Sequence, residues 1–136
     1  MIRKGSYILI LDLPYLHIKV GALGLLEIKE GTYCYVGSAM NGLDQRIGRH
    51  LSEKKKIRWH IDYLTIESNK IEAYGSELPE ITECVLGTIV INNGGTPSFK
   101  GFGCSDCSCG THLFFLPESA REKLLSLPFL KKYPCL

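Results

Sequence analysis

The segment at residues 5–14, GSYILILDLP, constrains the fold of this chain more than any other. Its residues 7–11 are apolar without interruption, and Asp12 and Pro14 end the run. A strand that carries apolar side chains on both faces must be covered on both faces. The segment therefore predicts a central strand with other elements packed on either side.

Two further patterns follow this strand. Residues 13–30 hold two short apolar segments edged by glycine, which predicts an inserted β-ribbon. Residues 31–38, GTYCYVGS, alternate, so the two tyrosines share one face of a second strand while Cys34 and Val36 share the other. A turn is predicted at Gly37.

A helix is predicted at residues 43–51. Its leucine and isoleucine residues recur every four positions and form a buried stripe, with Asn41 as the N-cap. At roughly 100° per residue, Arg46 and His50 lie beside that stripe. Both side chains are therefore expected at the rim of the core.

The rest of the chain completes the prediction of an α+β fold. Helices are expected at 57–66 and 118–127, and strands at 70–75 and 111–117. A length of 136 residues suits one domain. We predict a single domain over residues 1–136, with a central, mostly antiparallel sheet flanked by helices.

One more helix is predicted from Pro79, which suits a first helical turn, to about Val90. Its inward stripe is expected at positions 81, 85 and 89, and Glu83 heads a second apolar row. A buried carboxylate is costly unless it is paired or holds a metal. Glu83 is therefore a candidate functional residue.

Charge is unevenly distributed along the chain, although the net charge is only +2. Residues 46–58 carry six basic side chains against one acid, and residues 62–83 carry six acids against one lysine. A basic segment attracts a phosphate backbone, and a solvated helix face is the alternative interpretation. The candidate phosphate-binding residues are Arg49, Lys54, Lys55, Lys56 and Arg58.

No targeting pattern is found in the sequence. The apolar run at 7–11 is too short for a signal-peptide core or a membrane span. A cytoplasmic location without membrane contact is the default expectation. In that compartment the six cysteines should be reduced thiols.

The triplets Gly5-Ser6-Tyr7 and Tyr35-Val36-Gly37 resemble the paired signature of the GIY-YIG nuclease superfamily. The chain is similar to one prokaryotic branch of it, common in archaea and catalogued mainly as a domain of unknown function. Members of that branch share segments like WHIDYL at 59–64 and GFGCSDCSCGTHLFF at 101–115. Some are fused to an endonuclease III-type DNA glycosylase. Residues 13–30 form an insertion relative to the usual spacing of the superfamily.

The resemblance implies a set of catalytic residues. Arg46 holds the position of the catalytic arginine, His50 lies one turn later, and His60 matches a further polar position. Glu83 corresponds to the metal-binding carboxylate of the superfamily. With the two tyrosines, the full implied set is Tyr7, Tyr35, Arg46, His50, His60 and Glu83.

The implied activity is metal-dependent hydrolysis of phosphodiester bonds in DNA, with a role in repair. Glu83 would hold Mg²⁺ or Mn²⁺, and Arg46 would bind a phosphate oxygen. Tyr7 or Tyr35 would activate the water, with a phenol pKa lowered from about 10 by nearby cations; His50 is the alternative base. RNA is an alternative substrate. A non-cleaving nucleic-acid-binding module acting with a DNA-repair partner is an alternative function.

The cysteine-rich segment offers ligand types that suit zinc. Cys104, Cys107, Cys109 and His112 form a C-x-x-C-x-C-x-x-H pattern, and Cys84 could replace one of them. Small buried thiols in a glycine-rich turn are the favoured interpretation. A zinc-stabilised interaction domain is the alternative, and His112 bordering the active site is a third.

Overall fold

The computed structural model of the chain describes residues 3–53, 55–104 and 109–133. Within these ranges the strands are β1 (Gly5–Leu13), β2 (Leu16–Lys19), β3 (Leu25–Ile28), β4 (Gly31–Ala39), β5 (Lys70–Ser76), β6 (Thr96–Pro97), β7 (Leu113–Phe115) and β8 (Lys131–Lys132). The helices are α1 (Leu43–Leu51), α2 (His60–Thr65), α3 (Glu83–Asn92) and α4 (Glu118–Leu125). None of these helices is long and apolar enough to cross a membrane.

The predicted α+β fold is confirmed. Among the described residues, an antiparallel sheet has the strand order β6-β7-β4-β1-β5-β8, and β2 pairs with β3 in a separate ribbon. Strand β1 pairs with β4 on one side and with β5 on the other. The predicted central strand and the predicted ribbon are therefore both present.

Side chains of the sheet alternate between two hydrophobic layers. On one face, the odd-numbered residues of β1 and β4 pack with α1, α2 and the ribbon. On the other face, the even-numbered residues of these strands pack with α3 and α4. The alternation predicted for β4 is confirmed, because Tyr33 and Tyr35 lie in the first layer while Cys34 and Val36 lie in the second.

Helix α1 has the predicted bounds, but its predicted N-cap is wrong. The capping position is Gly42, which has φ 146° and no side-chain cap. The first helical residue instead has its backbone N–H bonded to the carbonyl of Arg3, at 2.7 Å. Arg3 also pairs with Asp44 in the first turn of the helix. A contact distant in sequence thus replaces the local cap.

The predicted start of the helix after Pro79 is also wrong, and its predicted inner stripe is only partly buried. Helix α3 begins at Glu83, because the hydroxyl of Thr82 accepts a hydrogen bond from the Val85 N–H at 3.2 Å and caps the helix there. The buried residues are Leu86, Gly87 and Val90, and Val85 is 38% exposed. The buried row is therefore the one that Glu83 heads.

Tyr7 is positioned by the absence of a side chain on the neighbouring strand. Its Cα partners are Gly37 on β4 and Gly75 on β5. The turn predicted at Gly37 is therefore wrong, since the strand continues through it to Ala39. A Cβ atom added at Gly37 would lie 2.5 Å from the Tyr7 phenol oxygen. The glycine of the YVG triplet is therefore required because the tyrosine ring of the GSY triplet lies over it.

Gly37→Ala should lower the free energy of unfolding by about 1–3 kcal/mol, since the buried Tyr7 ring would have to move. Urea denaturation measures the change. Gly48→Ala in α1 is the matched control, because among the described residues its new Cβ would meet only the Tyr133 hydroxyl, at 3.9 Å. Helix propensity predicts that the control gains about 0.5–1 kcal/mol. A Gly37→Ala variant as stable as the parent would refute this packing argument.

Candidate active site

A cleft of about 320 Å³ opens where β1 begins and β4 ends. It is lined by Tyr7, Tyr35, Gly37, Ser38, Met40, Asn41, Arg46, His50, Trp59, Glu83, Gly103 and His112. Five of the six residues singled out as catalytic by resemblance therefore lie in this one cleft. The sixth, His60, does not line it.

Tyr7 and His50 form a buried, hydrogen-bonded pair at the bottom of the cleft. The phenol oxygen lies 2.7 Å from Nε2 of His50, and each residue is only 1% exposed. Burial raises the pKa of Tyr7 to about 12, although Arg46 opposes the rise. Burial lowers the pKa of His50 to about 3. At neutral pH a neutral phenol and a neutral imidazole therefore share this hydrogen bond.

The expectation that nearby cations lower the phenol pKa is wrong for both tyrosines. Burial also raises the pKa of Tyr35. For each tyrosine, removal of the phenolate from water outweighs the attraction of Arg46. Neither phenol is a phenolate at neutral pH, so a base role requires that the phenol pass its own proton onward.

His50 has one polar atom without a hydrogen bond in the described part of the chain. Its Nδ1 is buried and has no partner there. In the tautomer in which Nε2 accepts from Tyr7, Nδ1 carries the ring proton. Such a group costs on the order of 1–3 kcal/mol, so it is uncommon in folded proteins.

Arg46 is held at the cleft wall by contacts to backbone and to an aromatic ring. Its Nη1 donates to the carbonyl of Ser38 at 3.0 Å, and its guanidinium carbon lies 4.5 Å from the centroid of the Trp59 ring. Arg49 lies over the same ring at 4.3 Å. The indole therefore orders two guanidinium groups, one of which faces the cleft.

Asp62 anchors this arrangement and was not predicted as a site residue. The carboxylate is fully buried and accepts two hydrogen bonds from Arg49 at 2.9 Å. It also accepts from the backbone N–H groups of Arg58 and Trp59, at 2.9 and 3.0 Å. The signal in the sequence was an acid three residues after the N-cap Trp59, the N3 position of a capping box.

Some side chains of the basic segment form hydrogen bonds within the protein, and others are exposed to solvent. Arg49 is bound to Asp62, and the ammonium of Lys55 donates to the His50 carbonyl at 2.6 Å and to the Thr65 hydroxyl at 2.8 Å. Lys56 and Arg58 are exposed, and Lys54 lies outside the described residues. Of the predicted phosphate-binding residues that the structure describes, Lys56 and Arg58 are therefore the exposed ones.

His60 supports a wall of the cleft from behind. Its Nδ1 accepts a hydrogen bond from the Gly103 N–H at 3.0 Å, and its ring packs on Phe102. Gly103 has φ +72° and lies against the Tyr35 ring, where an added Cβ would approach to 3.0 Å. His60 therefore holds Gly103, a lining residue, from outside the cleft.

Glu83 lies at the mouth of the cleft, at the first position of α3. Its side chain is 29% exposed, and a carboxylate oxygen lies 3.9 Å from Nδ1 of His112. Among the described lining residues it is the only carboxylate. A single oxygen ligand beside open space suits a hard cation such as Mg²⁺, which keeps several of its waters.

A second group of ligand-type side chains lies next to Glu83. Ligand atoms of Cys84, Cys109 and His112 all lie within 4.8 Å of one another. The half-buried Cys104 lies outside this group, with its sulfur 3.4 Å from the Phe102 carbonyl. The predicted ligand Cys107 lies outside the described residues.

The chain belongs to the family described as Domain of unknown function DUF123, whose model matches residues 6–132. The matched range contains all the cleft residues and the two cysteines and histidine beside them. No curated protein and no solved structure gave a significant match.

The neutral state of buried His50 predicts a pH dependence of stability. Because its pKa is about 3 when folded and about 6.5 when unfolded, only the unfolded state gains a proton as pH falls below 6.5. The free energy of unfolding should therefore fall with pH, by about 2 kcal/mol at pH 5 from this group. The His50→Gln variant should lose this contribution to the pH dependence of its free energy of unfolding.

Urea denaturation at pH 7 and pH 5 measures this difference. His17→Gln, on the exposed side of the ribbon, is the matched control and should keep the slope of the parent. If His50→Gln keeps the same loss between pH 7 and pH 5 as the parent, His50 is not the neutral buried group described above.

Proposed function

We propose that the protein is a metal-dependent endonuclease of the GIY-YIG superfamily that hydrolyses phosphodiester bonds in DNA. The observation that carries the proposal is the single cleft in which Tyr7, Tyr35, Arg46, His50 and Glu83 meet. These residues come from β1, β4, α1 and α3. No packing requirement explains why a guanidinium, a carboxylate, an imidazole and two phenols should share one opening.

Phosphate binding would rest on Arg46. An arginine fork has five N–H donors and matches the geometry of a phosphate, and Trp59 and Ser38 already hold this fork in place. Lys56 and Arg58, exposed on the connection between α1 and α2, would contact the phosphate backbone beyond the cleft. This distribution supports a polymeric phosphodiester over a small phosphate ester.

Water activation would use Tyr7 and His50 together. Water would donate a proton to the phenol oxygen while the phenol passes its own proton to Nε2 of His50, 2.7 Å away. The phosphate anion bound beside the pair would favour the resulting imidazolium. The shuttle lets a tyrosine with a pKa of about 12 serve as the base without forming a free phenolate.

Glu83 would hold one divalent cation. When bound there, Mg²⁺ or Mn²⁺ supplies charge stabilisation for the phosphate and for the leaving oxygen. The chain's own contribution is to place the carboxylate at the first turn of α3, with part of the side chain open to the cleft.

Cleavage of plasmid, branched and damaged DNA in Mg²⁺ or Mn²⁺ tests this function. Glu83→Gln and Arg46→Ala should each lower the cleavage rate at least 10²-fold, since each removes charge stabilisation from the transition state. Glu80→Gln, an exposed carboxylate near the same helix, is the charge-matched control and should cleave like the parent. DNA affinity, measured by fluorescence anisotropy, should stay within a few fold for Glu83→Gln.

Two outcomes would contradict the proposal. Equal cleavage by the parent and by both cleft variants would assign the activity to a contaminant or to another site. Binding without cleavage on every DNA and RNA substrate, with either metal, would favour the nucleic-acid-binding module that acts with a repair partner.

A further inference from the structure

The three side chains beside Glu83 belong to two elements that are fixed independently. Cys84 lies in the first turn of α3, which Thr82 caps, and it is exposed. Cys109 and His112 lie in the segment that leads into β7. Their sulfur and nitrogen atoms meet although 25 residues separate the two cysteines.

The segment before β7 is held by backbone hydrogen bonds on both sides. The N–H of His112 donates to the Phe102 carbonyl at 2.9 Å, and its carbonyl accepts from Val36 at 3.0 Å. The Gly110 carbonyl accepts from Gly101 at 2.7 Å. Two of the three ligand-type residues are therefore placed by the backbone before any ion binds, which reduces the cost of ordering a site.

We propose that Cys84, Cys109 and His112 bind a zinc ion that joins the start of α3 to the entry of β7. Two thiolates and an imidazole are ligands that zinc prefers over harder cations. Binding would release the two thiol protons. Water would take the fourth tetrahedral position.

The geometry requires only a small adjustment at the sulfurs. They lie 2.7 Å apart. Zinc–sulfur bonds of about 2.3 Å in a tetrahedron separate two sulfurs by about 3.8 Å. Cys84 can move by this amount because its side chain is exposed at the end of a helix.

The ion would also fix a wall of the cleft. Cys84 follows Glu83 in the chain, and His112 lines the cleft while its Nδ1 lies 3.9 Å from the Glu83 carboxylate. Zinc would therefore set the position of the carboxylate relative to the sheet. The inference goes beyond the nuclease proposal and stands without it, because its test measures bound metal.

The test uses the full chain without a histidine tag, purified in reductant with no added metal. Elemental analysis should find about one zinc per chain, bound in the presence of a competing chelator dye. Cys84→Ser is the main variant, because an exposed side chain can be replaced without loss of folding, and it should lower the bound zinc at least tenfold. Cys104→Ser is the matched control and should keep the zinc of the parent.

Replacement of zinc by Co²⁺ gives a second measurement. The parent and Cys104→Ser should show thiolate-to-cobalt charge-transfer absorption with the strong visible bands of a tetrahedral site. Cys84→Ser should lose intensity in both regions while its far-ultraviolet circular dichroism is unchanged.

Three results would overturn the inference. The first is a folded parent that takes up no zinc in competition with the dye. The second is equal zinc content in Cys84→Ser and the parent. The third is a Cys84–Cys109 disulfide, found by mass spectrometry of the reductant-purified protein. None of these results depends on whether the protein cleaves DNA.

Discussion

The antiparallel register of β1 against β4 is the constraint on which the site depends. It places Tyr7 opposite Gly37, and the missing side chain leaves room for a phenol ring over the neighbouring strand. The ring then reaches His50 on α1 at hydrogen-bond distance. A shift of one residue would turn Tyr7 to the opposite layer, away from α1.

Charge and burial are divided within the cleft in the way that solvation requires. At the buried bottom of the cleft lie a phenol and an imidazole that are both neutral at pH 7, as their shifted pKa values indicate. The charged groups, Arg46 and Glu83, lie at partly exposed positions. Asp62 is the exception, and its buried charge is offset by Arg49 and by two backbone N–H groups. The site thus keeps permanent charge where water or a polar ligand can reach it.

Much of the architecture could be predicted because it follows from local periodicity. The uninterrupted apolar run of β1, the alternation in β4 and the four-residue repeat of α1 each determine an element and its buried face. The predicted start of α3 at Pro79 was wrong because Thr82, nearer the apolar row, caps the helix. The phenol pKa values were wrong because burial depends on tertiary packing. The sequence could likewise indicate Cys84 only as an alternative zinc ligand. Its proximity to Cys109 depends on how α3 packs beside β7, which is also a matter of tertiary packing.

The two walls of the cleft belong to different hydrophobic layers. Arg46 and His50 extend from α1, which packs on one face of the sheet, while Glu83 extends from α3, which packs on the other. The distance between the Arg46 guanidinium and the Glu83 carboxylate therefore depends on how far each helix stands from its face of the sheet. Larger or smaller core residues beneath α3 would widen or narrow that gap and leave the tyrosine–histidine pair in place. Core substitutions beneath α3 thus change the width of the opening from positions that do not line it.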